Sequence, residues 1–260
     1  MIREMSVAGS FYPAQTDEIE RYFEHFNKVY DAKSTLPNIK SRAVIVPHAG
    51  YIYSGYTANI AYKILQNSDV SNFVVIGPSH RVGFRGISLC EDQSYETPFG
   101  EIQSDQDMVN ELKQMFNLKT LIRHAEHSTE VQFPFIKHYL PHAKIVELIY
   151  GDVEPKTLCE IIDFLLNKED YGVIISTDLS HFHNLNDANK LDNICLNAIV
   201  SLDTDMLENG CEACGKIGIK AMLMSAKKLD LKPYLLDYKT SADVSDDTSR
   251  VVGYVSGCFE

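Results

Sequence analysis

The sequence predicts a single α/β domain, residues 1–260, in which helices flank a mostly parallel central sheet. Short continuous apolar runs rich in valine and isoleucine indicate strands that are buried on both faces, as in a parallel sheet between two helix layers. Helical periodicity separates these runs, and this alternation is typical of α/β folds with right-handed crossovers. A chain of 260 residues without a convincing linker favours one domain with a full core.

The elements follow one another along the chain in a regular order. A polar stretch at 31–41 connects an N-terminal helix with the first strand, and a polar, acidic stretch at 241–249 precedes the last strand. The apolar runs that predict core strands are 43–46, 73–76, 145–149 and 173–175. The helical patterns are 56–65, 106–116, 131–139, 156–166, 188–200 and 215–228. Two further strand-like stretches are 234–238 and 251–255.

Composition and charge argue against several classes of protein. The 24 Lys and Arg against 36 Asp and Glu give a net charge of −12, which argues against binding to the phosphates of nucleic acids. No apolar run approaches the roughly 20 residues of a membrane span. Because the first residues lack the apolar stretch of a signal peptide, we expect a cytoplasmic protein whose six cysteines are reduced thiols. The absence of GxSxG, GxGxxG and HExxH motifs disfavours esterases, dinucleotide-dependent enzymes and zincins.

Three of the predicted strands are followed by residues that carry chemistry. His48 comes just after the first strand and His80 after the second, and Asp178 and His181 follow a third. In an open parallel sheet, ligand-binding groups collect outside the carboxyl ends of the strands. Asp178 and His181 are three residues apart, so a helical turn there would place both on one face. Two imidazoles with an anionic group are the set that iron, zinc or copper sites use.

Cys214 is a further candidate, and three interpretations of it are open. Helical periodicity begins after it, so it lies at or near a helix N-terminus, where the dipole and free amides lower the pKa of a thiol. Cys214 is a metal ligand, or it forms a CxxC redox pair with Cys211, or both cysteines are inert. The redox pair lacks its usual βαβ context, so the metal-ligand interpretation is favoured.

The segment EHSTEVQFPF contains His127 and Glu130. The HxxE spacing indicates either a metal or acid–base pair, or residues that begin a helix, and spacing alone does not separate the two. We expect four other histidines to lie at the surface: His25, His124, His138 and His142. The cysteines that lie in apolar patterns, which we expect to pack as small hydrophobic residues, are Cys90, Cys159, Cys195 and Cys258.

Several strings in this sequence resemble the Memo family, and together they span nearly the whole chain. They are AGSFYPA (8–14), PHAGYIYSG (47–55), GPSH (77–80), YETPFG (95–100), EHSTEVQFPF (126–135), STDLSHF (176–182), CG (214–215) and DVSDDTSRVVGY (243–254). The resemblance implies a fold similar to the class III extradiol dioxygenases, which are non-haem iron enzymes. By family likeness, His48, His80 and Cys214 would bind the metal.

The resemblance also implies roles for the neighbouring residues. Asp178 and His181 would lie beside the metal in the cleft, with His181 at the position of the dioxygenases' acid–base histidine, and His127 would line the pocket. The metal would be one transition-metal ion, with iron(II) or copper favoured and zinc possible. One departure matters: the thiol of Cys214 takes the place of the glutamate that completes the dioxygenase iron triad, and thiolate is a softer ligand. Dioxygenase activity therefore does not carry over with the fold.

Two functions follow as expectations. The first is a metal-dependent, dioxygenase-like oxidoreductase that acts on a small-molecule or peptide substrate, in which His181, polarised by Asp178, shuttles protons and His127 positions the substrate. The alternative is a non-catalytic binding or scaffold protein that uses the same pocket for a peptide or partner. The family likeness also implies a radical-SAM protein and a small companion protein of the same pathway as partners. No nucleic acid or membrane partner is expected.

A second departure from the family pattern is Gly218, where the family would have proline.

Overall fold

A mixed β-sheet between two layers of helices forms the centre of the computed structural model, which describes residues 1–260. The strands are β1 Ile2–Arg3, β2 Ala43–Val46, β3 Asn72–Pro78, β4 Ile87–Leu89, β5 Ser94–Tyr95, β6 Ile102–Gln103, β7 Lys144–Tyr150, β8 Tyr171–Ser176, β9 His181–His183, β10 Pro233–Thr240 and β11 Val251–Phe259. The α-helices are α1 Thr16–Asp31, α2 Tyr51–Leu65, α3 Gln106–Phe116, α4 His127–Glu130, α5 Phe133–Tyr139, α6 Pro155–Leu166, α7 Leu185–Ser201 and α8 Lys216–Lys228. Two 3-10 helices, Met206–Asn209 and Ser241–Asp243, complete the set.

The main sheet has a parallel centre and antiparallel edges. Its order is β10-β11-β2-β8-β3-β7-β4, with β9 paired to β11. The pairs among β2, β8, β3 and β7 are parallel, whereas β10–β11, β11–β2 and β4–β7 are antiparallel. The prediction of a mostly parallel sheet therefore holds for the centre and is wrong for the edges. The connections β3–β4 and β10–β11 are short and contain no α-helix. Because parallel strands need a crossover connection of a dozen or more residues, β4 runs opposite to β3, and β11 runs opposite to β10.

The helices cover both faces of this sheet, which explains the continuous apolar runs. Successive residues of β2 alternate between two hydrophobic cores: Ala43 and Ile45 belong to the core beneath α3, α6, α7 and α8. Val44 and Val46 belong to the core beneath α1, α2 and α5. Every residue of such a strand is buried, so its sequence shows no polar alternation. The α/β fold expected from the sequence is thus confirmed.

The start of α2 differs from the sequence prediction. The predicted helix at 56–65 begins five residues earlier, at Tyr51. Tyr51, Ser54 and Gly55 are buried, because this first turn packs against α1, where an added Cβ at Gly55 would lie 2.8 Å from the ring of Phe26. The earlier start places the N-terminus of α2 three residues after His48.

One disulfide bond contradicts the expectation that all cysteines are reduced. Cys195 of α7 is bonded to Cys211, with their Cα atoms 5.0 Å apart. The chain returns through the 3-10 helix Met206–Asn209, which packs on α7 and brings Cys211 beside Cys195. The redox pair of Cys211 with Cys214 is therefore wrong, as is the assignment of Cys195 as a free packed thiol. Cys214 keeps a free thiol.

None of the helices combines the length and the apolar character that crossing a bilayer requires.

Candidate metal centre

The carboxyl ends of three neighbouring parallel strands bring the predicted residues together. His48 lies two residues beyond β2, His80 two beyond β3, and Asp178 two beyond β8. Cys214 reaches the same edge from the turn before α8. One donor atom from each of His48, His80 and Cys214 lies within 4.8 Å of the other two. We call these three residues the strand-end centre.

The tautomer of His48 is determined by Ser176. Nδ1 of His48 lies 2.9 Å from Oγ of Ser176. That hydroxyl donates its hydrogen to the carbonyl oxygen of Ser128 at 2.5 Å and accepts from Nε2 of Gln132 at 3.0 Å. Because a hydroxyl has one hydrogen to donate, Nδ1 of His48 donates to it. Nε2 therefore keeps its lone pair, and it lies 3.3 Å from Sγ of Cys214.

Glu126 orients His80 and His127 in the same way. Its carboxylate accepts from Nδ1 of His80 at 3.1 Å and from Nδ1 of His127 at 2.8 Å. It also accepts from the backbone N–H of His80 at 2.8 Å. The rings cluster, with centroid distances of 4.5 Å between His80 and His127 and 5.1 Å between His48 and His80. Both rings bound to Glu126 are therefore left with Nε2 as the atom available to a ligand.

Sequence reasoning missed Glu126. Burial alone would raise the pKa of this carboxyl, but hydrogen bonds from His127 and His80 hold it well below its usual range. Glu126 therefore stays ionised at neutral pH and acts as an acceptor for both rings. The only indication in the sequence is that Glu126 directly precedes His127. Glu126 lies in a loop that does not follow a strand of the parallel sheet, so the position of strand ends does not predict it.

Cys214 is held tightly against the end of β8. Its backbone N–H donates to the carbonyl of Asp178 at 3.2 Å, and its sulfur accepts from the backbone N–H of Asp178 at 3.3 Å. The N–H of Gly215 donates to Oγ1 of Thr177 at 2.9 Å. A Cβ at Gly215 would lie 2.5 Å from Cβ of Thr177 and 3.0 Å from the carbonyl oxygen of Ser176. Only glycine allows this close approach.

The predicted lowering of the Cys214 pKa is wrong. Burial, with the carboxylate of Asp178 nearby, raises the pKa of this thiol to about 12. The side chain lies within the cleft rather than at a solvated helix end, so desolvation exceeds the effect of the helix dipole. A metal ion binds the thiolate, so loading of the centre releases a proton.

Asp178 and His181 share the cleft but not a helical turn. His181 begins β9 instead, paired with Val252 of β11, and no hydrogen bond joins its ring to Asp178. The carboxylate of Asp178 accepts from the backbone N–H of His48 at 2.8 Å, and its other oxygen is 4.0 Å from Nε2 of His48. Burial raises the pKa of Asp178, and the positive charge of a protonated His181 opposes that rise.

The HxxE segment separates into two environments. His127 faces the cleft, whereas Glu130 points to the opposite side and binds the N-terminal segment. Glu130 forms a fully buried ion pair with Arg3, so it is structural and no partner of His127. Its other partners are the backbone N–H groups of Ser6 and Val7 and the hydroxyls of Ser6 and Tyr12.

The structure gives Gly218 a role and corrects the expectation for His124. The N–H of Gly218 donates to the hydroxyl of Tyr150 at 3.2 Å, a bond that proline cannot make. His124 is buried instead of exposed, because its ring lies between Ser88 and Glu147. His25, His138 and His142 are exposed, as expected.

The donors of the strand-end centre fit one transition-metal ion. Two imidazoles with determined Nε2 lone pairs and one thiol converge on a common point, and metal–ligand distances of about 2.0–2.3 Å require only small movements. The side chain of His80 keeps 29% of its surface exposed, so one side of the centre is open. Imidazole and thiolate ligands suit iron, copper and zinc.

Aromatic residues line a cavity of about 570 Å³, and one of them, Phe11, reaches the histidine cluster. The ring of Phe11 contacts the ring of His127 with a centroid distance of 4.7 Å. Phe11, Tyr51 and Tyr53 line the cavity together with Gly50, which is two residues from His48. Phe11 therefore connects the wall of this cavity with the histidine cluster, while none of the candidate metal ligands lines the cavity.

Comparisons with known proteins find similarity over nearly the full length of the chain. The family model described as Memo-like protein matches residues 3–258. A MEMO1 family protein of Thermoplasma volcanium is 34% identical over 266 residues, covering 98% of this chain and 97% of that protein. MEMO1 family proteins of Sulfurisphaera tokodaii and Aquifex aeolicus are 34% and 33% identical. They cover 100% and 99% of this chain, and 99% of each relative is covered.

Proposed function

This chain belongs to the Memo family, and from that premise we propose that it is a metal-dependent oxidoreductase whose iron(II) or copper ion is held by His48, His80 and Cys214. The observation that carries the proposal is the convergence of these three donors, with Nε2 of His48 left free by its bond to Ser176. When bound, the ion supplies redox chemistry and an open position for dioxygen or substrate.

The protein residues around the centre bind, orient and move protons. Ser176 and Glu126 hold the imidazoles in the ligating tautomer, as outer partners of metal ligands do. His181 is half-buried and its ring has no hydrogen-bond partner, so an imidazole at this position is available to carry a proton. His127 positions the substrate.

The substrate class that we propose is a small molecule or a peptide side chain with an aromatic or apolar portion. The wall of the aromatic cavity includes Phe11, whose ring contacts His127, together with Tyr51 and Tyr53, and aromatic walls favour planar and apolar groups. The radical-SAM protein and the small companion protein belong to this proposal as pathway partners, and a cytoplasmic location remains a prediction.

A binding function without chemistry is the second candidate. The same aromatic cavity favours it, since a peptide docked there requires no metal. The two functions differ in their dependence on the ion: a binding protein keeps its affinity for a peptide when Cys214 is replaced, whereas an oxidoreductase loses turnover.

Oxygen uptake tests the proposal. Protein loaded with iron(II) or copper(I) is supplied with a general reductant, and uptake is compared with that of the free metal at the same concentration. We expect uptake above the free-metal level in the wild type and its loss in Cys214→Ser. The matched control is Cys159→Ser, which replaces a free cysteine outside the cleft. Uptake at the free-metal level in all three proteins would contradict an oxidoreductase and favour the binding function.

A further inference from the structure

We propose that Cys90, His124 and Glu147 form a second metal site that binds a zinc ion. All three side chains are buried, and none belongs to the strand-end centre. One donor atom of each lies within 4.8 Å of the other two. Thiolate, imidazole and carboxylate are the protein ligands of zinc, and three of them with one water make a four-coordinate site.

The buried charges around Glu147 do not balance without a further cation. Glu147 and Glu130 are fully buried, and the guanidinium of Arg3 pairs with both of them. One positive charge therefore faces two carboxylates, and an uncompensated buried charge is strongly unfavourable. A metal ion beside Glu147 would supply the missing charge.

The two oxygens of Glu147 have different partners. Oε1 accepts from the hydroxyl of Thr129 at 2.5 Å and faces Arg3 at 3.5 Å. Oε2 faces Nδ1 of His124 at 2.8 Å. A metal ion that replaces the proton between Nδ1 and Oε2 thus uses one oxygen of Glu147 and leaves the contacts of the other intact.

His124 also has the outer partner that a ligating imidazole uses. Its Nε2 lies 2.9 Å from Oγ of Ser88. The backbone N–H groups of Leu121 and Ile122 donate to the same Oγ, so the hydroxyl is held in place. An outer partner of this kind fixes the orientation of a metal-bound histidine.

Cys90 supplies the third donor from the position directly after β4, the strand that pairs with β7. Its backbone N–H donates to the carbonyl of Glu147 at 3.0 Å, which holds the two residues side by side. The sulfur has only a weak contact, 3.8 Å from a carboxylate oxygen of Asp92. The thiol has no strong hydrogen bond that a metal would have to displace.

Solvent reaches this cluster through a cavity of about 400 Å³. Cys90 and His124 both line the cavity, whose other walls include the N-terminal residues and Asp92. The cavity provides a path for the ion, and space for the water that completes four-coordination.

Zinc binding to the Cys214→Ser protein tests this proposal apart from the strand-end centre. Metal-free Cys214→Ser protein is titrated with zinc(II) against a chelator and, separately, with cobalt(II) to record the thiolate-to-cobalt charge-transfer absorption. We expect one equivalent of zinc and a thiolate band. In Cys214→Ser/Cys90→Ala the band should disappear. The zinc affinity should fall by more than the roughly 10–100-fold that loss of an outer partner costs.

A control variant and a direct measurement of the ligands separate the role of Cys90 from a general effect of losing a buried cysteine. Cys214→Ser/Cys258→Ala removes a buried cysteine of β11 and should bind zinc as Cys214→Ser does. X-ray absorption at the zinc edge of the folded Cys214→Ser protein should show one sulfur ligand, a result that does not depend on a further variant. Failure to bind zinc, zinc bound without sulfur, or equal affinity with and without Cys90 would overturn the proposal.

Discussion

The hydroxyl of Ser176 lies 2.9 Å from Nδ1 of His48, and this contact directs the opposite ring nitrogen toward Cys214. Ser176 is the last residue of β8 and pairs in register with Val46, the last residue of β2. The register of β2 and β8 therefore determines the tautomer of His48.

Replacement of Ser176 by alanine should weaken metal binding without removing a ligand. Loss of the acceptor at Nδ1 frees the ring to rotate and to change tautomer, so we expect a fall in affinity of roughly 10–100-fold. Chelator competition measures this effect. The matched control is Ser256→Ala, since the hydroxyl of Ser256 is buried without a partner; equal affinity in the two variants would exclude the role given to Ser176.

Glu126→Gln should affect two imidazoles at once. Both ring N–H groups donate to Oε1, and the backbone N–H groups of His80 and Arg81 donate to Oε2. An amide NH₂ group in either position therefore faces an N–H donor. We expect metal affinity to fall by roughly 10–100-fold. The control is Glu130→Gln. This change should destabilise the fold, but chelator competition should show an unchanged metal affinity of the folded protein. A Glu126→Gln protein with wild-type affinity would contradict the orienting role of this residue.

Gly215→Ala should displace Cys214. The new Cβ would lie 2.5 Å from Cβ of Thr177, and overpacking of this kind costs about 1–3 kcal/mol in the free energy of unfolding. We expect a lower midpoint in urea together with weaker metal binding. Gly83→Ala is the control, because nothing lies within 4 Å of a Cβ at that position. If both variants unfold at the same urea concentration, the close approach at Gly215 is not required.

His181→Ala should keep the metal and lose oxygen uptake. His181 has no contact with the donor atoms of the strand-end centre, so its removal spares binding and eliminates the proposed proton carrier. The control, His183→Ala, removes a ring of the same strand that bonds Glu212 at 2.6 Å instead of facing Asp178. Loss of metal together with uptake in His181→Ala would make His181 a ligand.

The Arg3–Glu130 pair should make the free energy of unfolding depend on pH in the acidic range. Burial alone would raise the pKa of Glu130, but the charge of Arg3 and hydrogen bonds from Ser6 lower it below the ordinary value of 4.5. A lowered pKa in the folded state stabilises the protein above the unfolded value, and this stability is lost as pH falls through the folded value. Urea unfolding of wild type and Glu130→Gln should therefore converge as pH drops below about 4.5. A difference that stays constant would contradict this.

The sequence predicts the parts of this protein that local patterns encode. His48, His80 and Asp178 could be found because parallel strands end at one edge of a sheet, and buried strands appear as continuous apolar runs. For Cys214, the missing βαβ context of a redox pair favoured the metal-ligand interpretation, and the family resemblance strengthened it.

Long-range contacts account for what the sequence did not predict. Glu126 lies in a loop and gains its function only from the two rings that meet it. His124 is in a polar segment, yet Ser88 and Glu147 enclose it. The pairing of Cys195 with Cys211 depends on how α7 packs against the following 3-10 helix, and no spacing rule contains that information.

Metal content tests the central claim most directly. Wild-type and Cys214→Ser proteins are purified anaerobically under reducing conditions, and iron, copper and zinc are counted separately by elemental mass spectrometry. We predict near-stoichiometric iron or copper in the wild type and its loss in Cys214→Ser. No iron or copper in either protein after reconstitution, or equal amounts in both, would contradict a metal centre formed by His48, His80 and Cys214.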